Sequence, residues 1–256
     1  MTRTLCNQSL RTGNTIALLT IGSERGLWSY CALLLLGCML MPALWIQPTQ
    51  AQGPSAEYQQ ALGWIEEGRL LLAQRRFNEA QAQFSRYVNT YPYDPRGFFW
   101  LGIAQDEAGD PASALKMYSR SLDDAKDLSM DSAELRTNLG NTLLKLHYIK
   151  EATYDFKRAL EIDPTVTRAH LGLAQAYLLT GQLPEALAEL QACSDQGFTD
   201  PIMPFLKAKA LQGLGRGGEA REQLQLYERG VTGAGSELIE NARAMMRQLP
   251  PAPVPQ

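Results

Sequence analysis

The chain has 256 residues, 45% apolar and 20% charged, the composition of a folded rather than a disordered protein. Its 24 basic and 27 acidic residues leave a formal charge of −3, which argues against a strongly basic nucleic-acid binder. Four cysteines and two histidines, widely scattered, exclude a disulfide scaffold and a zinc finger.

The first distinctive segment runs from Leu27 to Ile46, twenty residues without a charge around Ala32-Leu33-Leu34-Leu35-Leu36. At about 1.5 Å per helical residue such a run spans a hydrocarbon core of ~30 Å. Arg3, Arg11 and Arg25 precede it and only Glu24 opposes them, a bias that keeps the N-terminus cytoplasmic and sends the remainder across the membrane. Residues 1–51 therefore read as a signal peptide or an N-terminal membrane anchor, and 52–60 as a short linker. Three fates stay open. Thr49-Gln50-Ala51 offers small residues for cleavage after Ala51. The segment can instead remain as an anchor. Leu35-Leu36-Gly37-Cys38 resembles the lipobox of bacterial lipoproteins, in which Cys38 would be acylated, although apolar Met39, Leu40 and Met41 follow where a polar tether is usual. All three export the body, making it periplasmic, anchored facing the periplasm, or a lipoprotein. Without the leader the body carries 21 basic and 26 acidic residues and a single cysteine, Cys193, which reads as a small core residue.

The body repeats. Gly68, Gly102, Gly140, Ala174 and Ala208 are each followed twelve residues later by Ala80, Ala114, Ala152, Ala186 and Ala220. Sixteen residues after each first member stands Phe84, Tyr118, Phe156, Leu190 or Leu224, and the repeat steps are 34, 38, 34 and 34. Each unit reads as two helices with a short break, marked at Gly109-Asp110-Pro111, Gly181-Gln182-Leu183-Pro184 and Gly215-Arg216-Gly217. The small residues are expected to let the two helices approach, and the large one to fill the groove toward the next repeat. Asp94-Pro95, Asp163-Pro164 and Asp200-Pro201 are expected to cap and start the next helix. The extra four residues fall at Lys126–Asp131 and predict a longer helix or loop there.

Trp64…Gly68…Ala80…Phe84…Pro92, Leu139-Gly140…Ala152…Phe156…Ala159…Pro164 and Leu173-Ala174…Tyr177…Gly181…Ala186 resemble copies of the tetratricopeptide repeat. The resemblance implies an all-α, right-handed solenoid of about five helix pairs at 61–94, 95–128, 133–166, 167–200 and 201–234. The fifth copy departs from the pattern at Pro204, Lys207 and Gly217 and is expected to be the least stable. Residues 235–249 then read as a capping helix with Leu238, Ile239, Ala242, Met245, Met246 and Leu249 on one face, and 250–256 as a proline-rich tail.

Catalytic patterns are decoys. Gly213-Leu214-Gly215-Arg216-Gly217-Gly218 satisfies the dinucleotide fingerprint as a string, but no strand precedes it and it falls at the break inside the fifth repeat, so it reads as a loop. His147 falls at an inter-helix turn and His170 at a bulky repeat position, while Glu66-Glu67 and Asp123-Asp124 read as solvated helix faces. No enzyme, cofactor or metal site is expected.

The family resemblance implies that the first helix of each pair lines an inner groove, with Ile65, Arg69, Arg96, Phe99, Trp100, Ile103, Asn138, Asn141, Arg168 and Gln175 facing it. Phe99 and Trp100 are adjacent, so at most one can be fully buried. The other forms an aromatic pocket with Ile65 and Ile103, or both pack into the insertion that follows. Asn138 and Asn141, one turn apart, can bond an extended peptide backbone, and Arg168 can share a carboxylate with Asn141. Gly172 stands where carboxylate-clamping relatives need an arginine, which argues against a terminal-carboxylate ligand. The expected function is a non-catalytic adaptor in the cell envelope that holds a protein or peptide partner. The alternative is a structural subunit that packs through its convex face or self-associates.

Overall fold

The computed structural model describes residues 55–127, 131–230 and 236–249. The apolar run at 27–46, with its cleavage, anchoring and Cys38 acylation alternatives, lies outside the described residues, as does the tail at 250–256. Among the described residues there are eleven helices, and none is long and apolar enough to cross a membrane.

The helices fall in pairs: α1 (Ala56–Ala73) with α2 (Phe77–Thr90), α3 (Pro95–Glu107) with α4 (Pro111–Asp127), and α5 (Ala133–Lys145) with α6 (Ile149–Ile162). The series continues with α7 (Thr167–Thr180) and α8 (Leu183–Asp195), then α9 (Met203–Gly213) and α10 (Gly217–Gly230), and ends in α11 (Ser236–Gln248), which packs on α10. Each helix touches the one before and after it. The first helices also touch one another in succession, α1 to α3 to α5 to α7 to α9, so they form the inner layer of the stack.

The turn inside every pair has one construction. Arg75, Gly109, His147, Gly181 and Gly215 all have φ between +59° and +87°. After each, the next residue's N–H donates to the carbonyl five residues back, at 2.9 Å in all five turns. This is the left-handed helix ending that satisfies orphan carbonyls of the last turn. Gly109, Gly181 and Gly215 adopt it freely, whereas Arg75 and His147 do so as side-chain-bearing residues.

The core follows the twelve- and sixteen-residue spacings, with one correction. Ala80, Ala114, Ala152, Ala186 and Ala220 are fully buried, and Phe84, Tyr118, Phe156, Leu190 and Leu224 are at most 1% exposed. The small residue of each first helix does not simply meet the alanine of the second. A Cβ built on Gly68 would stand 2.4 Å from the Phe84 ring, on Gly102 2.8 Å from Tyr118, and on Gly140 2.7 Å from Phe156. Glycine accompanies a ring in the first three repeats; in the last two, leucine replaces the ring and Ala174 and Ala208 replace glycine. The two positions share one packing volume.

The aspartate–proline steps differ from expectation at two of three places. Asp94 caps α3, accepting from Arg96 N at 3.0 Å with Pro95 in the first turn. Asp163 and Asp200 instead fold tight turns, accepting from Thr165 N at 2.8 Å and Ile202 N at 2.9 Å, and α7 and α9 begin only at Thr167 and Met203. Side chains that bond their own backbone two residues on stabilise a turn and delay the helix. The insertion lengthens a helix: α4 has 17 residues against 14 in α2, α6 and α10. In the fifth pair α9 is the shortest helix described, 11 residues with Pro204 in its first turn.

Candidate functional site

Three consecutive first helices, α3, α5 and α7, wall a cavity of about 560 Å³ that the loop residues Phe198, Thr199 and Asp200 also line. On α5 the residues Asn138, Asn141 and Lys145 come round at steps of three and four and so share a face. On α7 the same steps align Arg168, Leu171 and Gln175, and the C-terminal turn of α3 contributes Asp106 and Glu107. The fold thus brings together four residues expected to face the groove: Asn138, Asn141, Arg168 and Gln175.

One interaction ties two walls. Lys145 Nζ donates to Asp106 Oδ2 at 2.7 Å, joining α5 to α3 across 39 residues of sequence. The lysine side chain is 52% exposed and the aspartate 13%. Among the described residues no donor meets Asp106 Oδ1, which is buried. Arg168 is exposed, and Leu144, Leu171 and Phe198 supply apolar surface beside these polar groups. The cavity offers amides, both signs of charge and a greasy patch within one trough, a set suited to holding an extended chain by its backbone and selected side chains.

The other expected groove residues are engaged elsewhere. Ile65 is 7% exposed and belongs to the core of the first pair. Trp100 stacks on Phe84 with centroids 6.2 Å apart, and the Arg69 guanidinium, held by both Glu66 carboxylate oxygens, lies 4.9 Å from its ring centre. Phe99 packs toward Tyr118 at 6.2 Å, and Ile103 is half-buried against the same core. The aromatic pair is therefore fixed by its own neighbours, with Arg69 over the Trp100 face. Arg96 turns to the corner between α2 and α3, where it donates to Asp94 and to the Tyr58 hydroxyl. Burial pulls the Asp94 carboxyl upward, but hydrogen bonds from Arg96 and Tyr87 more than offset this and hold it below the usual range.

The remaining polar groups serve the scaffold. His170 sits 2.6 Å from Glu189 Oε2 and 3.1 Å from the Pro164 carbonyl, tying α7 to α8 and to the preceding turn. Cys193 is fully buried, its Sγ 3.4 Å from the Thr167 carbonyl, and burial pushes its thiol up to about 11, the opposite of an activated nucleophile. Among the described residues no group of three or more His, Cys, Asp or Glu is arranged to hold a metal.

Repeat spacing could identify Asn138, Asn141, Arg168 and Gln175, and one further helical turn leads to Asp106, Glu107 and Lys145. Phe198 and Thr199 carry no periodic signal because they lie in the turn after α8, where Gly197 takes φ +73°, and the recurring Asp-Pro step pointed to Asp200 only as a helix start. That glycine was the available clue.

Two family models, both described as tetratricopeptide repeat, match residues 65–129 and 143–208. A curated protein, anaphase-promoting complex subunit CDC16 of Saccharomyces cerevisiae, is 27% identical over 126 residues, 48% of this chain and 15% of that protein. The chain thus matches a small part of that relative's length. Among solved structures, PilW, described as a widely conserved type IV pilus biogenesis factor, superposes with a TM-score of 0.62 at 18% identity, covering 73% of this chain and 84% of that one. PilF of Pseudomonas aeruginosa gives 0.61 at 15% identity, covering 76% and 90%. YrrB, described as a TPR protein with an unusual peptide-binding site, gives 0.57 at 20% identity, covering 72% and 92%. At such identities these structures establish a common fold.

Proposed function

Since this chain belongs to the tetratricopeptide repeat family, a family of protein-interaction scaffolds, we propose that it holds an extended segment of a partner protein in the trough between α3, α5 and α7. The observation that carries this reading is the convergence of Asn138, Asn141, Arg168 and Gln175 on one open cavity beside Leu144 and Leu171. Amide side chains both donate and accept, so a pair one turn apart can bond the two faces of a peptide unit. An extended ligand loses much freedom on binding, which sets the expected affinity near micromolar, roughly −8 kcal/mol.

The working unit in this reading is the repeat array at 61–234 with its capping helix at 235–249, carried outside the cytoplasm by residues 1–51. The export reading rests on the uncharged run at 27–46 and the arginines before it, not on fold similarity. The protein then acts as an adaptor in the cell envelope, periplasmic or tethered to a membrane facing the periplasm. Fractionation of intact cells with protease added outside the inner membrane tests the location; a chain protected with the cytoplasm contradicts it.

A photo-crosslinking amino acid placed at Arg168 in the trough, or at the exposed Tyr154 on α6, tests the binding surface in cells. The trough position is expected to capture a discrete partner band that the α6 position does not. Capture from Tyr154 alone would contradict the trough and favour packing through the second helices.

A further inference from the structure

We infer that the trough selects a partner segment carrying a basic side chain, an arginine or lysine that docks on Asp106; this rests on the trough reading above. Asp106 is a shielded carboxylate of the cavity lining, its side chain 13% exposed, yet only one of its oxygens is bonded. A carboxylate offers several acceptor sites, and a buried one left empty is costly. Its single donor, Lys145, reaches over from the next repeat and keeps more than half of its side chain in solvent. A lysine half in solvent, bonded to one oxygen of a shielded carboxylate, is open to replacement by a donor that meets both. A guanidinium entering along the Asn138–Asn141 face can meet both oxygens at once and release Lys145 to water.

Charge favours the same sign of ligand. The cavity wall carries Asp106, Glu107 and Asp200 against Lys145 and Arg168, and Asp200 Oδ1 is already used by Ile202 N. An acidic partner drawing on Lys145 would strip Asp106 of its donor and leave a buried carboxylate unpaired. The site therefore discriminates against acidic segments as well as welcoming basic ones.

Fluorescence anisotropy of the full chain with labelled Gly/Ser octapeptides holding a central Arg, Lys, Glu or Leu tests this at low salt. The Arg and Lys peptides are expected to bind about tenfold or more tightly than the others. Asp106→Asn should abolish that preference, whereas Lys145→Met, which removes the competing donor, should tighten the basic peptides. The opposite signs separate a recognition role from a merely structural ion pair, for which both substitutions act alike. Lys145→Met also gives a reading should Asp106→Asn fail to fold. Equal or better binding of Glu or Leu peptides, parallel effects of the two substitutions, or no binding of any peptide would each overturn the inference. The Arg168 crosslink decides the trough reading separately, so a captured partner with no basic preference leaves the trough standing and removes only this selectivity.

Discussion

The Phe156 ring occupies the space where a side chain at Gly172 would go. A Cβ there would lie 2.3 Å from the ring's Cζ, and the same ring stands 2.7 Å from a Cβ built on Gly140. Phe156 comes from α6 and wedges between α5 and α7, so it sets the separation of the two helices that carry Asn141 and Arg168. The missing arginine at position 172 is thus a packing requirement: the core claims that volume.

Gly172→Ala should therefore destabilise the chain despite alanine's better helix propensity, by about 1–3 kcal/mol of overpacking. Thermal unfolding followed by circular dichroism measures it. Adding Phe156→Leu, which removes the ring that meets the new methyl group, should recover part of the loss.

The two turns built without glycine are predicted weak points. Arg75 at φ +59° and His147 at φ +62° hold a conformation that costs a side-chain-bearing residue about 1–2 kcal/mol. Arg75→Gly and His147→Gly should each raise stability by about 0.5–1 kcal/mol after the unfolded chain's added freedom is counted. Urea midpoints that fall would contradict the strain.

These turns also show where the sequence was opaque. Repeat phase and the buried positions at steps of twelve and sixteen were legible because each depends on side-chain volume recurring at a fixed step, whereas the seating of each ring on the glycine sixteen residues before it was not. Three inter-helix turns announced themselves by Gly109, Gly181 and Gly215, and repeat phase put His147 at a fourth; the left-handed backbone of Arg75 and His147 was not legible, since tertiary packing can hold a conformation that local preference would not choose. The fate of Trp100 was illegible for a different reason. Helical spacing places it on the inner side, but only the folded chain shows Arg69, braced by Glu66, lying over its ring. Asp106 and Lys145 were visible as neighbours of the groove, while their pairing across 39 residues was not.

Arg136 is a second structural keystone, at 6% exposure, bonded to Asp155 Oδ1 at 2.7 Å and to Asp131 Oδ2 at 2.7 Å. It fastens the start of α5 to α6 and to the end of the insertion. Arg136→Ala should cost about 3–5 kcal/mol because it leaves Asp155 charged and buried without a partner. Asp131→Asn should cost less, the aspartate side chain being 23% exposed. Equal losses in denaturant titrations would argue against Asp155 as the principal partner.

Acid should loosen the corner between α2 and α3. The Asp94 carboxyl sits below its ordinary value of 3.8 in the folded chain, so the folded state binds its proton less readily than the unfolded one. Its stabilising contribution is present above about pH 4 and is lost as pH falls through the lowered folded value. Asp94→Asn should flatten the fall of melting temperature below pH 4; an unchanged acid limb would show that other carboxylates govern it.

The most direct measurement is the affinity of the captured partner for a chain bearing Asn138→Ala, Asn141→Ala and Arg168→Ala together, with unchanged helicity and melting as the control for folding. Loss of two neutral and one charged hydrogen-bonding group predicts binding weaker by about a hundredfold. Undiminished binding by the triple variant would contradict a partner held between α3, α5 and α7.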